Sequence, residues 1–202
     1  IHRKNTRVKT IPLKANLLLE GERQSLVDRF VRQTGSIDAL VNCAGAVYGQ
    51  TDFLHLTKVD WDKTFELNVS APFFLAQQAF LHMRKTGGGK IINISSIASK
   101  YGGGPCSIHY AGAKAALEAV MRGLAKQGAK DHILINTVRA GFILTKFHKK
   151  MGRREADIKK RIALIPLGRP GRCADVAHMV AYLLSGKGDF ITAETFTVAG
   201  GD

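Results

Sequence analysis

The sequence predicts an α/β fold: a doubly wound parallel sheet with helices on both faces. Two observations carry this. Short apolar runs alternate with longer stretches of helical periodicity, in the order strand, helix, strand, helix, which calls for crossover connections and hence parallel strands. The chain also has enough apolar material for one core, 45% hydrophobic residues in 202, so residues 1–202 read as a single domain. No internal repeat or linker interrupts it.

Taken in order, Val8–Leu13 reads as a short strand and Glu22–Gln33 as a helix that turns Leu26, Val27, Phe30 and Val31 inward. Ile37–Val41 reads as a buried strand ending at Asn42-Cys43-Ala44-Gly45. Val59–Arg84 is one long helical stretch, closed by Gly87-Gly88-Gly89 ahead of a strand at Lys90–Ile94. Ser107–Gln127 is the next helix, Ile133–Val138 the next strand, Cys173–Leu184 a late helix, and Phe196–Val198 a last strand before Gly200-Gly201. The triple glycines at 87–89 and 102–104 read as turns, because no GK[ST] follows either at the spacing of a phosphate loop.

Bulk properties remove several functions. No apolar run approaches the ~18–20 residues of a membrane span, and no secretory pattern opens the chain. Cys43, Cys106 and Cys173 are too few and too scattered for a disulfide framework, and no CxxC or HExxH spacing suggests a metal. A reducing cytoplasm is the expected home. The net charge of +14 favours anionic partners or a merely basic surface. No helix-turn-helix, zinc-finger or aromatic RNA-binding signature accompanies it, so nucleic acid is not an expected partner.

The chemistry-bearing constellation is Ser95-Ser96 after a buried strand, followed by Tyr110-Ala111-Gly112-Ala113-Lys114. Four residues apart, Tyr110 and Lys114 share a helix face. A free tyrosine titrates near ~10 and is a poor acid–base group at neutral pH. An ammonium beside it stabilises the phenolate and is expected to lower that value. Ser96, from a neighbouring strand end, could donate a hydrogen bond to a substrate oxygen. Alone, Tyr-x-x-x-Lys is a weak signal, equally an ordinary pair on an amphipathic helix. Its place after a serine-tipped strand favours function, because ligands of parallel sheets sit at strand C-terminal ends. Asn68 lies inside a helix four residues before Pro72, which has no N–H, so the helix should kink and free the Asn68 carbonyl.

Asn42-Cys43-Ala44-Gly45, Asn68, Ser96, Tyr110 with Lys114, the segment Asn136–Thr145 and Ile165-Pro166-Leu167-Gly168-Arg169 follow one another in the order of the classical short-chain dehydrogenase/reductase family. The chain resembles that family over nearly its whole length, and looks most like its 3-oxoacyl-[acyl-carrier-protein] reductases. The resemblance implies a Rossmann-type fold and an NAD(P)-dependent oxidoreductase. Tyr110 would be the general acid, Lys114 would hold the nicotinamide ribose and tune Tyr110, Ser96 would orient the carbonyl, and Asn68 would hold a relay water. Asn16 and Leu17 would lie beside the adenine; Ile143 and Thr145 would touch the carboxamide. Asn42, Ala44, Gly45 and Gly141, with Tyr110 and Lys114, would complete the cofactor site. Arg3 and Lys4 stand where a 2′-phosphate would lie, and no acidic residue replaces them, so NADP(H) is expected over NAD(H).

The chain departs from the family pattern at several places. Cys43 replaces the second asparagine of Asn-Asn-Ala-Gly, Ala140-Gly141 replaces Pro-Gly, and Ala193 stands where a glycine is expected. Ser96 and Tyr110 are one residue further apart than in the nearest relatives. The Gly-rich turn that holds a cofactor pyrophosphate is absent, so a first βαβ unit of roughly 30 or more residues is expected to precede Ile1.

The resemblance implies reduction of a small carbonyl substrate, 3-oxoacyl thioesters above all, carried on acyl carrier protein or coenzyme A. The basic run Lys146–Arg161 would steer such carriers. A homotetramer is expected from the same resemblance and from the apolar surplus on the helices at 59–84 and 107–127. The alternatives are a dehydrogenase of a sugar, polyol or steroid alcohol, and a catalytically silent oligomeric scaffold.

Overall fold

The computed structural model describes residues 9–145 and 154–202. Along the chain come α1 (Glu20–Gln24), α2 (Leu26–Thr34), β1 (Ala39–Asn42), α3 (Lys58–Phe65), a π turn (Glu66–Ser70), α4 (Ala71–Thr86), β2 (Gly89–Ser96), α5 (Ala98–Tyr101), α6 (Ile108–Gly128), β3 (Ile133–Ala140), α7 (Glu155–Ala163), α8 (Cys173–Leu184) and β4 (Thr195–Val198). The strands make one sheet in the order β1-β2-β3-β4. Every pairing is parallel, with Asn42 opposite Asn93, Ser96 opposite Ala140, and Ala140 opposite Val198.

Strand alternation sends apolar side chains to both faces. Ile91, Ile133 and Ile135 face α2, α4 and α6, where Val27, Leu75, Ala79, Met83, Leu117 and Met121 close the larger core. Ile92 and Val138 face the other way, onto Leu183, Val176, Met179 and Val180 of α8. The doubly wound arrangement therefore follows from which residues each strand turns up and down. Among the described residues no helix is long and apolar enough to cross a membrane.

Four expectations need correction. Residues 9–13 form no strand. Pro12 can donate no ladder hydrogen bond, and Ile11 and Leu13 instead line an apolar cleft beside β1. The helix foreseen over Glu22–Gln33 is two helices, because Ser25 Oγ turns back to the Glu22 carbonyl (3.3 Å) and competes with the backbone ladder. The long helix over Val59–Arg84 is α3 and α4 joined by the π turn. Lastly, residues 154–161 of the basic run lie mostly in the helix α7 (Glu155–Ala163). Its first turn carries Glu155 and Asp157 and its last Lys160 and Arg161, which suits the helix dipole. Arg154 pairs with Asp157, Lys159 with Glu155 and Arg161 with Asp202, so much of this charge is already partnered. The remainder of the basic run, Lys149, Lys150 and Arg153 included, lies outside the described residues.

Ala193 shows why a glycine was expected there: its φ is +65°, a left-handed conformation that costs a residue with a Cβ about 1–2 kcal/mol. The residue is held by a bond from its N–H to the Ile135 carbonyl (2.9 Å). Glycine would relieve the strain but lose about 0.4–1 kcal/mol to greater freedom of the unfolded chain. Ala193→Gly is thus expected to raise stability by up to about 1 kcal/mol, read as a higher urea midpoint at unchanged slope. A lower midpoint would mean that the methyl group's packing outweighs its strain.

Candidate functional site

β2 and β3 end side by side, so the chain leaves both at the same rim of the sheet. Ser95 and Ser96 arrive there from β2, Ala140 and Gly141 from β3. The helix α6 crosses behind them and supplies Tyr110 and Lys114. These residues, with Cys43, Gly45, Ile143 and Thr145, line one cleft of about 420 Å³. The Tyr110 phenol and Ser96 hydroxyl are hydrogen-bonded. Lys114 is almost wholly buried; its Nζ donates to the Ile94 carbonyl (2.8 Å) and lies 5.7 Å from the Tyr110 ring centroid.

The electrostatics differ from the expected lowering of the tyrosine. Burial pushes the Tyr110 phenol above its ordinary value, and the Ser96 hydrogen bond offsets only part of this. Burial also lowers the Lys114 ammonium to about 8, against the opposing pull of Cys43 and Glu118. Both shifts have one cause: each group's charged form has lost water. At neutral pH Tyr110 therefore holds its proton, as a general acid must.

Asn68 sits in the π turn, fully buried. Pro72 offers no N–H to the Asn68 carbonyl, and the ladder widens into the π turn at this place. The Asn68 amide donates to the Thr64 carbonyl (2.8 Å) and to the Ala46 carbonyl (2.7 Å). Its Oδ1 has no protein partner among the described residues. This oxygen points to the space above Gly45: a Cβ built on Gly45 would stand 2.9 Å from it and 3.3 Å from Lys114 Nζ. A buried acceptor without a donor costs on the order of 1–3 kcal/mol, which marks it as a place for a further donor.

Gly141 is required by close approach, since a Cβ there would lie 2.5 Å from Ala199 Cα. Ile143 and Gly171 form a short parallel bridge that fixes the chain on leaving the rim. Leu17, Asn42 and Ala44 stand apart from this cleft. They line the neighbouring apolar one, about 380 Å³, which meets the first at Cys43. The Asn42 amide is used internally, donating to Asn93 Oδ1 (2.9 Å) and the Pro72 carbonyl (3.2 Å). Asn16 caps its own turn, accepting from Leu18 N–H (3.1 Å), and lines neither cleft. Arg3 lies outside the described residues.

Sequence reasoning missed several side chains that shape the cleft, Phe142, Tyr101, Ile97 and Ser107, whereas Arg161, the end of the basic run, does reach it. Tyr101 ends the short helix α5, Arg161 lies on α7 and the others come from loops, where no periodicity points to a site. It also missed Arg23. Buried in α1, Arg23 pairs with Glu66 of the π turn, donates to the Leu17 carbonyl (3.0 Å) and lies 5.4 Å from the Phe74 ring. One guanidinium thus ties the segment carrying Leu17 to the turn carrying Asn68.

Comparison with known proteins places the chain among oxidoreductases. A family described as enoyl-(acyl carrier protein) reductase matches residues 3–202. The 3-oxoacyl-[acyl-carrier-protein] reductase FabG of Thermotoga maritima is 30% identical over 96% of this chain and 77% of its own length. The 2-dehydro-3-deoxy-D-gluconate 5-dehydrogenase of Escherichia coli (strain K12) is 34% identical over 88% of this chain and 70% of its own. A solved 7α-hydroxysteroid dehydrogenase, complexed with NADH and 7-oxo glycochenodeoxycholic acid, superposes with a TM-score of 0.85 at 30% identity, covering 93% of this chain and 72% of that one.

Proposed function

The chain belongs to the short-chain dehydrogenase/reductase family of oxidoreductases, and we propose on that footing that it reduces 3-oxoacyl thioesters with NADPH. The observation that carries the reading is the meeting of Ser96, Tyr110 and Lys114 in one cleft, with Asn68 behind Gly45.

The residues present fit a nicotinamide cofactor. Gly45 leaves backbone open beside the cleft, and the Asn68 Oδ1 and the Lys114 ammonium reach the same point. Lys114 and Tyr110 would hold the nicotinamide ribose, Ile143 and Thr145 the carboxamide, and Asn42, Ala44, Gly45 and Gly141 the adjoining wall. Asn16 and Leu17 would lie towards the adenine and Arg3 towards a 2′-phosphate. When bound, the cofactor supplies the hydride. Ser96 donates a hydrogen bond to the substrate carbonyl oxygen, and Tyr110 passes its phenolic proton to the same atom. Lys114 stabilises the phenolate left behind, and a water on Asn68 Oδ1 returns the proton. Two groups on one oxygen polarise the carbonyl where negative charge develops, which is where stabilisation counts.

A dehydrogenase of a sugar acid or steroid alcohol is the second reading, favoured by relatives of equal similarity that carry those names. The cleft wall of Ile97, Tyr101, Phe142 and Ile143 suits an acyl chain and a steroid alike. Assembly as a homotetramer is part of the proposal, because Val59, Trp61, Phe74, Leu81, Ile108 and Val120 stand exposed on α3, α4 and α6. So is a cytoplasmic location.

The test is consumption of NADPH with acetoacetyl-CoA, followed by absorbance. The expected result is turnover, with kcat/KM for NADPH about tenfold or more above that for NADH, the worth of one charge-assisted contact. Equal constants would remove Arg3 from phosphate recognition. Turnover of steroid or sugar alcohols but not of acetoacetyl-CoA would transfer the assignment to the second reading.

A further inference from the structure

Behind the cleft wall lies a second polar cluster that the mechanism does not use. Glu118, one turn beyond Lys114 on α6, is buried at 7% exposure. Its Oε1 accepts from Ser95 Oγ (2.5 Å), Ser99 Oγ (2.7 Å) and Arg139 Nε (3.1 Å), and its Oε2 from Arg139 Nη2 (2.5 Å). Arg139 is anchored in turn on Thr197 Oγ1 (3.1 Å) of β4. One carboxylate therefore joins α6 to β2, α5, β3 and, through Arg139, β4.

The residues it holds flank the reacting groups. Ser95 precedes Ser96, and its hydroxyl also approaches the Lys114 carbonyl (3.4 Å). The Ser99 hydroxyl lies 2.8 Å from the Ser96 carbonyl oxygen. We propose that Glu118 is a positioning residue: through Ser95 and Ser99 it fixes Ser96 against Tyr110, and it sets a buried negative charge one helical turn from Lys114. The inference rests on the reductase reading of this cleft, and it adds a residue that does not touch substrate.

Charge decides how the cluster acts. Burial alone would raise the Glu118 carboxyl, but hydrogen bonds from Arg139, Ser95 and Ser99 hold it below its ordinary value, so it stays a carboxylate at neutral pH. The titratable and charged groups facing Lys114 are Tyr110 and Glu118 from α6 and Cys43 at the end of β1. Arg139 on β3 acts through Glu118. The π turn brings neutral Asn68, and β2 brings the Ile94 carbonyl. Removing the Glu118 charge withdraws support from the Lys114 ammonium; removing Arg139 leaves that support less compensated. The two substitutions should move Lys114 in opposite directions.

The test compares wild type, Glu118→Gln and Arg139→Gln in the cofactor-free protein. Lys114 is titrated by carbon NMR after isotopic labelling of lysine and assigned with Lys114→Arg. The wild-type midpoint is expected at about 8, lower in Glu118→Gln and higher in Arg139→Gln. With cofactor and substrate, Glu118→Gln should lower kcat about tenfold while the KM for cofactor stays within a small factor, as for a group acting on the reacting atoms and not on binding. An unmoved Lys114 midpoint in both variants, with loss of thermal stability alone, would overturn the proposal and leave a structural ion pair. If Glu118→Gln does not fold, Arg139→Gln decides by the sign of its shift. Absence of turnover in the wild type would count against the reductase reading alone, since the titration stands without it.

Discussion

Tyr110→Phe is expected to reduce kcat by about 10³-fold or more, within the range of general acid catalysis, while cofactor binding survives. The hydroxyl is the only part removed. The ring keeps its place beside Lys114, whose Nζ remains held by the Ile94 carbonyl, so the ribose contacts assigned to Lys114 persist. Ser96 stays in place as well, because its hydroxyl accepts from Ala98 N–H (3.2 Å) and its backbone is bound by Ser99. Loss should therefore appear in kcat, with cofactor affinity, followed by fluorescence of bound NADPH, changed only slightly. The pH profile adds a check. Burial holds the phenol above its ordinary value and lowers the Lys114 ammonium to about 8, so reduction by wild type should decline on the alkaline side as Lys114 loses its proton. The variant, which forms no phenolate for Lys114 to stabilise, should lack that limb. Turnover within tenfold of wild type would remove Tyr110 from the acid role.

The parts of this centre that were legible in the sequence are those set by local geometry. Tyr110 and Lys114 are one helical turn apart, so their common face follows from α-helical spacing. Ser96 sits where a parallel strand must end, and the Asn68–Pro72 interval announces an interrupted helix because proline has no N–H. What stayed hidden depends on contacts between distant segments. Glu118 and Arg139 meet only because α6 folds back over β3. The apolar run at residues 9–13 misled for the opposite reason. It carries the Thr and Ile of a strand, but Pro12 among them can donate no ladder hydrogen bond, and that signal outweighs the β-branched pattern. Tyr110 misled in sign: spacing places a cation beside it, but only burial, a property of the whole fold, tells whether desolvation or the cation wins. Ala193 was legible as an anomaly before its cause was visible, and its positive φ supplies that cause.

The second large effect is expected at Gly45, where adding a single methyl group should cost activity more than stability. In Gly45→Ala the new Cβ would meet Asn68 Oδ1 at 2.9 Å and Lys114 Nζ at 3.3 Å. Neither can withdraw freely. The Asn68 amide is fixed by two carbonyls, those of Thr64 and Ala46, within a π turn whose geometry Pro72 imposes. The Lys114 ammonium is buried and bound to Ile94. Gly45 itself is exposed on the cleft side, so the backbone can give by a few tenths of an ångström without opening the core, and the global fold should hold. The displaced atoms, however, are the two that would keep the relay water and the nicotinamide ribose in register with Tyr110. Misplacement of about 1 Å at a reacting centre costs on the order of 10²-fold in rate. A loss of that size in kcat/KM is expected, with weaker cofactor binding and a thermal midpoint within a few degrees of wild type. Gly45→Val, larger and branched, should abolish turnover. Wild-type kinetics in Gly45→Ala would show that the contact above Gly45 plays no part in holding Asn68 and Lys114 for catalysis, and would separate the π turn from the function proposed for this cleft.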